Sequence, residues 1–265
     1  MDESKIALLK ELLQKYAGKE LLASFQKPEK ALPADSTKIG GKPAVPQDFE
    51  WPYYTGQIIG VTQELKSRPL SFLAQINLRD IANLPQEYPL PKSGILSFFY
   101  ELETMQWGFD PKDAGCARVL YFPEGTALSE AEFPEDLADY ARLPELAMTF
   151  TEQISLPGCW DVREITDPFD GEDSDEFCDT YVECCEALGQ QYSGIDERTK
   201  LFGYPDAQQD PDMGNECECV TRGYRRGSPE DSKRISEEER PILQQNQRTG
   251  FCCSRWERSS PGTMS

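Results

Sequence analysis

Histidine is absent from the 265 residues. That excludes Ser-His-Asp and Cys-His nucleophilic chemistry, histidine general acid–base catalysis, and every metal site built on imidazole. No apolar run approaches the roughly 20 residues that span a bilayer. The opening stretch MDESKIALLKELLQKY carries acids and lysines through its apolar positions, unlike a signal peptide. The expectation is a soluble cytoplasmic protein without a membrane partner. The phosphate-cradling pattern G-x-x-x-x-G-K-S/T is missing. Nine cysteines are present, but no C-x2-C knuckle, so Cys217 with Cys219 and the adjacent Cys184 and Cys185 do not compose a four-cysteine zinc site. An odd cysteine count without an export signal points to reduced thiols. Neither a metal nor a cofactor is expected.

Positive charge is scarce where negative charge is dense. Residues 101–197 hold four basic against 25 acidic side chains, whereas residues 1–100 are near balance and residues 198–265 are neutral. Such a middle section repels nucleic acid, which needs clustered Lys and Arg. It favours a basic protein as partner, or serves solubility alone. The run DPFDGEDSDE is acidic enough to raise a calcium reading, but setting Gly171 sixth in an EF-hand loop puts Thr166 first and Pro168 third, and the pattern fails. A solvated acidic turn ahead of a helix fits better. Asp170, Glu172, Asp173, Asp175 and Glu176 are the candidate surface for a basic partner.

Length fits one large domain or two small ones. Ile6, Leu9, Leu13 and Tyr16 recur at helical spacing over residues 3–16. After Gly18, Leu21, Leu22 and Phe25 read as another short turn. TKIGGKPAVPQDFEWP, residues 37–52, reads as a shaped loop in which Gly40 and Gly41 permit positive φ or close backbone approach, and Phe49 and Trp51 pack over it. LSFLAQINL (70–78), ILSFFYELE and ARVLYFPEG read as strands. Strict alternation puts Leu70, Phe72, Ala74 and Ile76 on one side of the first, with Leu73, Gln75 and Asn77 opposite. The segments between strands lack repeated crossover helices, so an antiparallel sheet is expected. Residues 127–150 read as loop with one helical turn, and EQISLPGCWD as a strand. SDEFCDTYVECCEALGQ reads as a helix capped by Ser174 and ended by Gly189, with Phe177, Tyr181, Cys184 and Leu188 on one face. TKLFGYPDAQQ reads as loop, ECECVTRGY as a strand and SEEERPILQQ as the start of a helix.

In order and spacing, TKIGGKPAVPQDFEWP, LSFLAQINL, SGILSFFYE, ARVLYF and KLFGYPD resemble the YwqG-like family, also called domain of unknown function 1963, over residues 35–243. The resemblance implies an α+β fold, mostly antiparallel β and described as a roll, with an N-terminal helix and one or two further helices. It implies no established activity and no catalytic set. The expected organisation is an N-terminal helical segment (1–30), a β-rich domain (31–247) and a tail (248–265).

The resemblance also implies a later segment such as DWILLFQMGT that echoes LSFLAQINL. Here RTGFCCSRWER stands instead. The codons GAC TGG ATT CTG CTG TTC CAG ATG GGA ACG encode DWILLFQMGT, and read one base later they spell TGFCCSRWE, the run from Thr249 to Glu257. A change of reading frame between Ile242 and Arg248 is therefore expected, with 248–265 out of frame. Missing strands would leave unpaired edges and exposed apolar side chains, so a marginally stable, aggregation-prone chain is expected.

Gln75 and Asn77 are the polar residues of a strand expected to be central. Either they satisfy neighbouring backbone, or they bind a small ligand together with Gly40, Gly41 and Trp51. The favoured function is non-enzymatic protein binding. The family's company adds a bacterial immunity-like role, in which the acidic surface blocks a basic toxin domain. The alternative is a small-ligand pocket or a carboxylate-dependent hydrolase. The frame reading is tested at the gene: restoring phase near codons 242–248 should yield the DWILLFQMGT-like segment, and a nucleotide sequence that yields nothing similar in either other phase refutes it.

Overall fold

The structure, a computed structural model, describes residues 1–57, 65–82, 90–106, 113–159, 162–190, 199–204 and 257–258. The fold is α+β, with more strand than helix. It divides into two compact units, Met1–Ser24 with Phe150–Cys253, and Phe25–Thr149 with Ser254–Ser265.

The first unit opens with α1 (Glu3–Tyr16). Asp2 caps it by accepting from the Lys5 N–H at 2.9 Å, and the helical spacing buries Leu9 and Leu13 completely. Those leucines pack with Phe177, Tyr181, Cys184 and Cys185 of α3 (Ser174–Ala187) and with Ile165 of the short α2 (Arg163–Thr166). The α3 face expected from periodicity is the buried one, Leu188 included as a partly buried member. Its cap is Asp173 rather than Ser174, because the Asp173 carboxylate accepts from the N–H groups of Asp175 and Glu176 at 3.1 Å. Gly189, at φ +97°, ends it as expected. The Tyr181 hydroxyl donates to the Pro157 carbonyl at 2.8 Å and ties the helix to the segment that follows the unit's long strand.

Two segments of this unit differ from expectation. Residues 18–26 form a strand, β1, not a turn, and Lys200–Phe202 form another, β11, not a loop. β11 pairs antiparallel with β1, Leu21 opposite Leu201, and β1 is flanked on its other side by β10 (Leu146–Ser155). The cause is a buried carboxylate. Glu20 is 1% exposed and accepts from Lys200 Nζ at 2.8 Å, from Ser155 Oγ at 2.9 Å and from the Gln153 amide. Lys200 also donates to the Tyr204 carbonyl at 2.6 Å, and the Tyr204 N–H donates to Ser155 Oγ at 2.9 Å. Gly203 at φ +70° makes this closeness possible, since a Cβ there would lie 2.4 Å from Ser155 Oγ and 2.8 Å from Glu20 Cβ. KLFGYPD thus owes its lysine and glycine to one buried charge, while the Tyr204 hydroxyl donates to the Tyr16 carbonyl at 2.8 Å.

The second unit holds β2 (Lys38–Ile39), β3 (Ala44–Val45), β4 (Tyr53–Gln57), β5 (Leu65–Pro69), β6 (Ser71–Asn77), β7 (Ile95–Tyr100), β8 (Ala117–Phe122) and β9 (Ser129–Glu130). The first residues of β10 pair antiparallel with β2, and the order continues β2-β6-β7-β8, every pairing antiparallel. β10 begins at Leu146, earlier than the strand expected from 152. β4–β5 and β3–β9 are separate antiparallel pairs. Phe99 of β7 is the aromatic hub: Trp51, Phe72 and Phe49 lie with ring centroids 5.5, 5.5 and 6.0 Å from it. Phe49 and Trp51 are therefore core packing over the sheet.

β6 does not keep the alternation expected of it. Leu73 is an extra residue, because the register steps from Phe72↔Phe99 to Ala74↔Phe98. Phe72 then shares a face with Gln75 and Asn77, and Ala74 shares the other with Ile76. The Gly40 N–H donates to the displaced Leu73 carbonyl at 2.7 Å.

The strand expected over ECECVTRGY and the helix start at SEEERPILQQ lie outside the described residues. So does the tail 248–265 apart from Glu257–Arg258, β12, which pairs parallel with Leu120–Tyr121.

Burial opposes ionisation of Glu20, but its hydrogen bonds from Lys200, Gln153 and Ser155, with the Lys200 charge, hold its carboxyl below the usual glutamate value. The pair's contribution is complete above the unfolded-chain value of about 4.3 and is lost as pH falls through the lower folded value. Lys200→Met strands a buried carboxylate and is expected to cost about 3–5 kcal/mol in urea unfolding at neutral pH. Across about pH 3–5 its stability should fall less steeply than that of the parent. A parent-like acid limb in the variant would contradict the assignment.

Candidate functional site

Lys38, Gln75 and Ser97 stand opposite one another on the neighbouring strands β2, β6 and β7, and each is fully buried. Three polar side chains in a row across a sheet need partners. Gln75 finds all of its own in backbone. Its Oε1 accepts from the Ala44 N–H at 2.9 Å, and its Nε2 donates to the carbonyls of Ala34 and Ser36 at 2.6 and 2.8 Å. The amide clamps both ends of the segment 34–44 over the sheet. Lys38 Nζ lies 2.8 Å from Glu145 Oε2 and 3.7 Å from Glu130 Oε1. The Ser97 hydroxyl has no hydrogen-bond partner among the described residues.

Gly40 and Gly41, at φ +65° and +67°, let this segment turn against residues 143–145. A Cβ on Gly40 would lie 2.1 Å from the Pro144 carbonyl oxygen, and one on Gly41 would lie 2.6 Å from Glu145 Oε2. Both the positive φ and the close approach expected of the pair are present. Trp51 donates its indole N–H to the Leu70 carbonyl at 2.8 Å. Asn77 accepts from the Arg79 N–H at 3.2 Å, capping the 3-10 turn Leu78–Ile81, and donates to the Asp35 carbonyl at 3.1 Å.

A surface cleft of about 260 Å³ among the described residues is lined by Asn77, one of the five proposed ligand residues, with Asp35, Arg79, Glu124 and Thr126 as its polar neighbours. Gly40, Gly41, Trp51 and Gln75 do not line this cleft. Arg79 forms an ion pair with Glu124 at the rim. The volume is below the range of roughly 300–1,000 Å³ usual for small-molecule sites.

The five proposed surface acids sit in the first unit. Between 162 and 190 there are ten acids and one cation, Arg163. Glu172 pairs with Lys5 of α1 and Glu176 with the Met1 amino group, so two of the five proposed surface acids are engaged by the N-terminal segment. Asp173 is the helix cap. Asp170 and Asp175 are exposed, and Asp179, Glu183 and Glu186, which composition alone did not single out, extend the exposed surface along α3. No His, Cys, Asp or Glu cluster that would hold a metal ion occurs among the described residues, and no described helix is long and apolar enough to cross a membrane.

These features define an α+β domain with an antiparallel sheet, a glutamine-clamped glycine turn and one acidic helix. The sequence matches the model of the family described as "Domain of unknown function (DUF1963)" over residues 37–250, and the chain belongs to that family. No curated protein matches it.

Gln75→Leu removes the clamp while keeping the side chain's size and leaves one N–H and two carbonyls without their partner. It should destabilise the chain by about 2–4 kcal/mol in urea unfolding. An unchanged midpoint would show that Gln75 does not hold the segment.

Proposed function

We propose that this chain is a non-enzymatic binding protein whose acidic α3 surface docks a basic partner protein, in the manner of an immunity protein blocking a basic toxin domain. The reading is carried by the charge arrangement on α3. Asp175, Asp179 and Glu183 follow one another at i, i+4 and i+8, all exposed, with no cation partner among the described residues. Like charges at this spacing destabilise a helix by about 0.2–0.5 kcal/mol per pair. Glu186 adds a carboxylate in the last turn, which has no basic residue, where the helix dipole favours cations. Asp175 lies in the first turn, where the dipole favours an acid, but Asp179, Glu183 and Glu186 work against the helix that bears them, and a basic partner would turn that cost into binding energy. Val182, 37% exposed beside the stripe, offers an apolar contact amid the charges. The small cleft beside Asn77 gives the pocket reading weaker support.

Carbodiimide coupling in producing cells, followed by peptide mapping, identifies what lies against the acids. The expected adducts join residues 170–186 to lysines of one partner. Its affinity should fall at least about tenfold between roughly 0.05 and 0.3 M salt. The variant carrying Asp179→Asn, Glu183→Gln and Glu186→Gln should lose the complex yet melt no lower than the parent. A partner bound elsewhere, or one insensitive to both salt and neutralisation, overturns the reading.

A further inference from the structure

Cys159 lies in the segment after β10 and Cys178 in the second turn of α3, 19 residues apart in the chain and both half-buried. Their sulfurs are 3.7 Å apart. The separation exceeds a disulfide bond length of about 2.05 Å, so bond formation requires the two sulfurs to approach each other. The other described cysteines are placed differently. Cys116, Cys184 and Cys185 are buried. Burial pushes the thiols of Cys116 and Cys184 up, which depletes the thiolate that reacts.

We propose that Cys159 and Cys178 are a modification site, a dithiol that a low-molecular-weight disulfide converts reversibly to an intramolecular disulfide. One cysteine, as its thiolate, attacks a sulfur of the oxidant and expels one thiol, giving a mixed disulfide on the protein. The neighbouring cysteine then attacks the protein-borne sulfur and expels the second thiol. The two protein thiols lose two electrons and two protons, and the oxidant is reduced to two thiols.

The bond closes a ring over residues 159–178. That ring contains α2, the buried Phe169 and the first turn of α3, and with them seven of the ten acids between 162 and 190. Cross-linking removes conformations from the unfolded segment, so the acidic surface becomes harder to open. Formation of the bond is independent of the acidic-surface reading, and only its effect on a partner rests on that reading.

The test uses the full chain, glutathione disulfide as oxidant, alkylation of remaining thiols and tryptic mapping. Cleavage at Arg163 separates peptide 143–163, which carries Cys159, from peptide 164–198, which carries Cys178. The expected product is these two peptides joined, with fragment ions placing the link at Cys178, and released by dithiothreitol. Cys159→Ser should abolish the link and Cys184→Ser should retain it. The oxidised chain should melt several degrees higher than the reduced one. Recovery of both cysteines alkylated, as separate glutathione adducts, or bonded to other cysteines overturns the proposal. These readouts need no partner, so they remain decisive if the docking reading fails.

Discussion

A carboxylate kept from water is tolerable only when the surrounding chain supplies compensating charge and donors. Glu20 sets that requirement for the first unit. Lys200 answers it from 180 residues away, Gln153 and Ser155 from the adjacent strand. The demand draws three distant segments into one sheet, and it places a glycine at 203, where no side chain fits beside Ser155 and Glu20. Next to that glycine, Phe202 adopts φ +65°, a region that residues with a Cβ seldom enter.

The second unit uses a related solution with different chemistry. A neutral amide, Gln75, holds residues 34–44 by three backbone hydrogen bonds, and a buried lysine, Lys38, is met by Glu145 across 107 residues. An amide carries no net charge to desolvate and presents donors and an acceptor at once, which suits it to a strap whose ends offer both. An aromatic cluster lies on the same sheet face, where Phe99 gathers Phe49, Trp51 and Phe72. The polar and aromatic halves of that face share β6.

Elements whose burial follows a regular period were legible. Helices α1 and α3 show their apolar stripes at 3.6 residues, and β6, β7 and β8 are marked by branched and aromatic residues. β1 was not, because Leu21 and Leu22 are adjacent and Glu20, a charge, is buried beside them. β11 was not, because a three-residue strand leaves no periodic trace and its lysine makes sense only against Glu20. Within the candidate site, Gln75 and Asn77 stood out as polar residues in a central strand, and the roles found for them are bonds to nearby backbone. The acids of α3 were legible as composition. Their engagement was not, since the partners of Glu172 and Glu176 are Lys5 and the amino terminus. The sharing of a face by Phe72 and Gln75 depends on one unpaired residue, which hydropathy does not reveal.

That residue makes β6 unusual in how it would respond to a change of length. Removing any one residue from Ala74 to Asn77 would reverse the orientation of part of what remains and put the wrong side chains beneath the strap. Removing Leu73 would merely straighten the strand, because Ala74 and its successors already face as though it were not there. The loss would be confined to the carbonyl that receives the Gly40 N–H. The bulge is therefore the one place where this strand could be shortened without exchanging its inside for its outside.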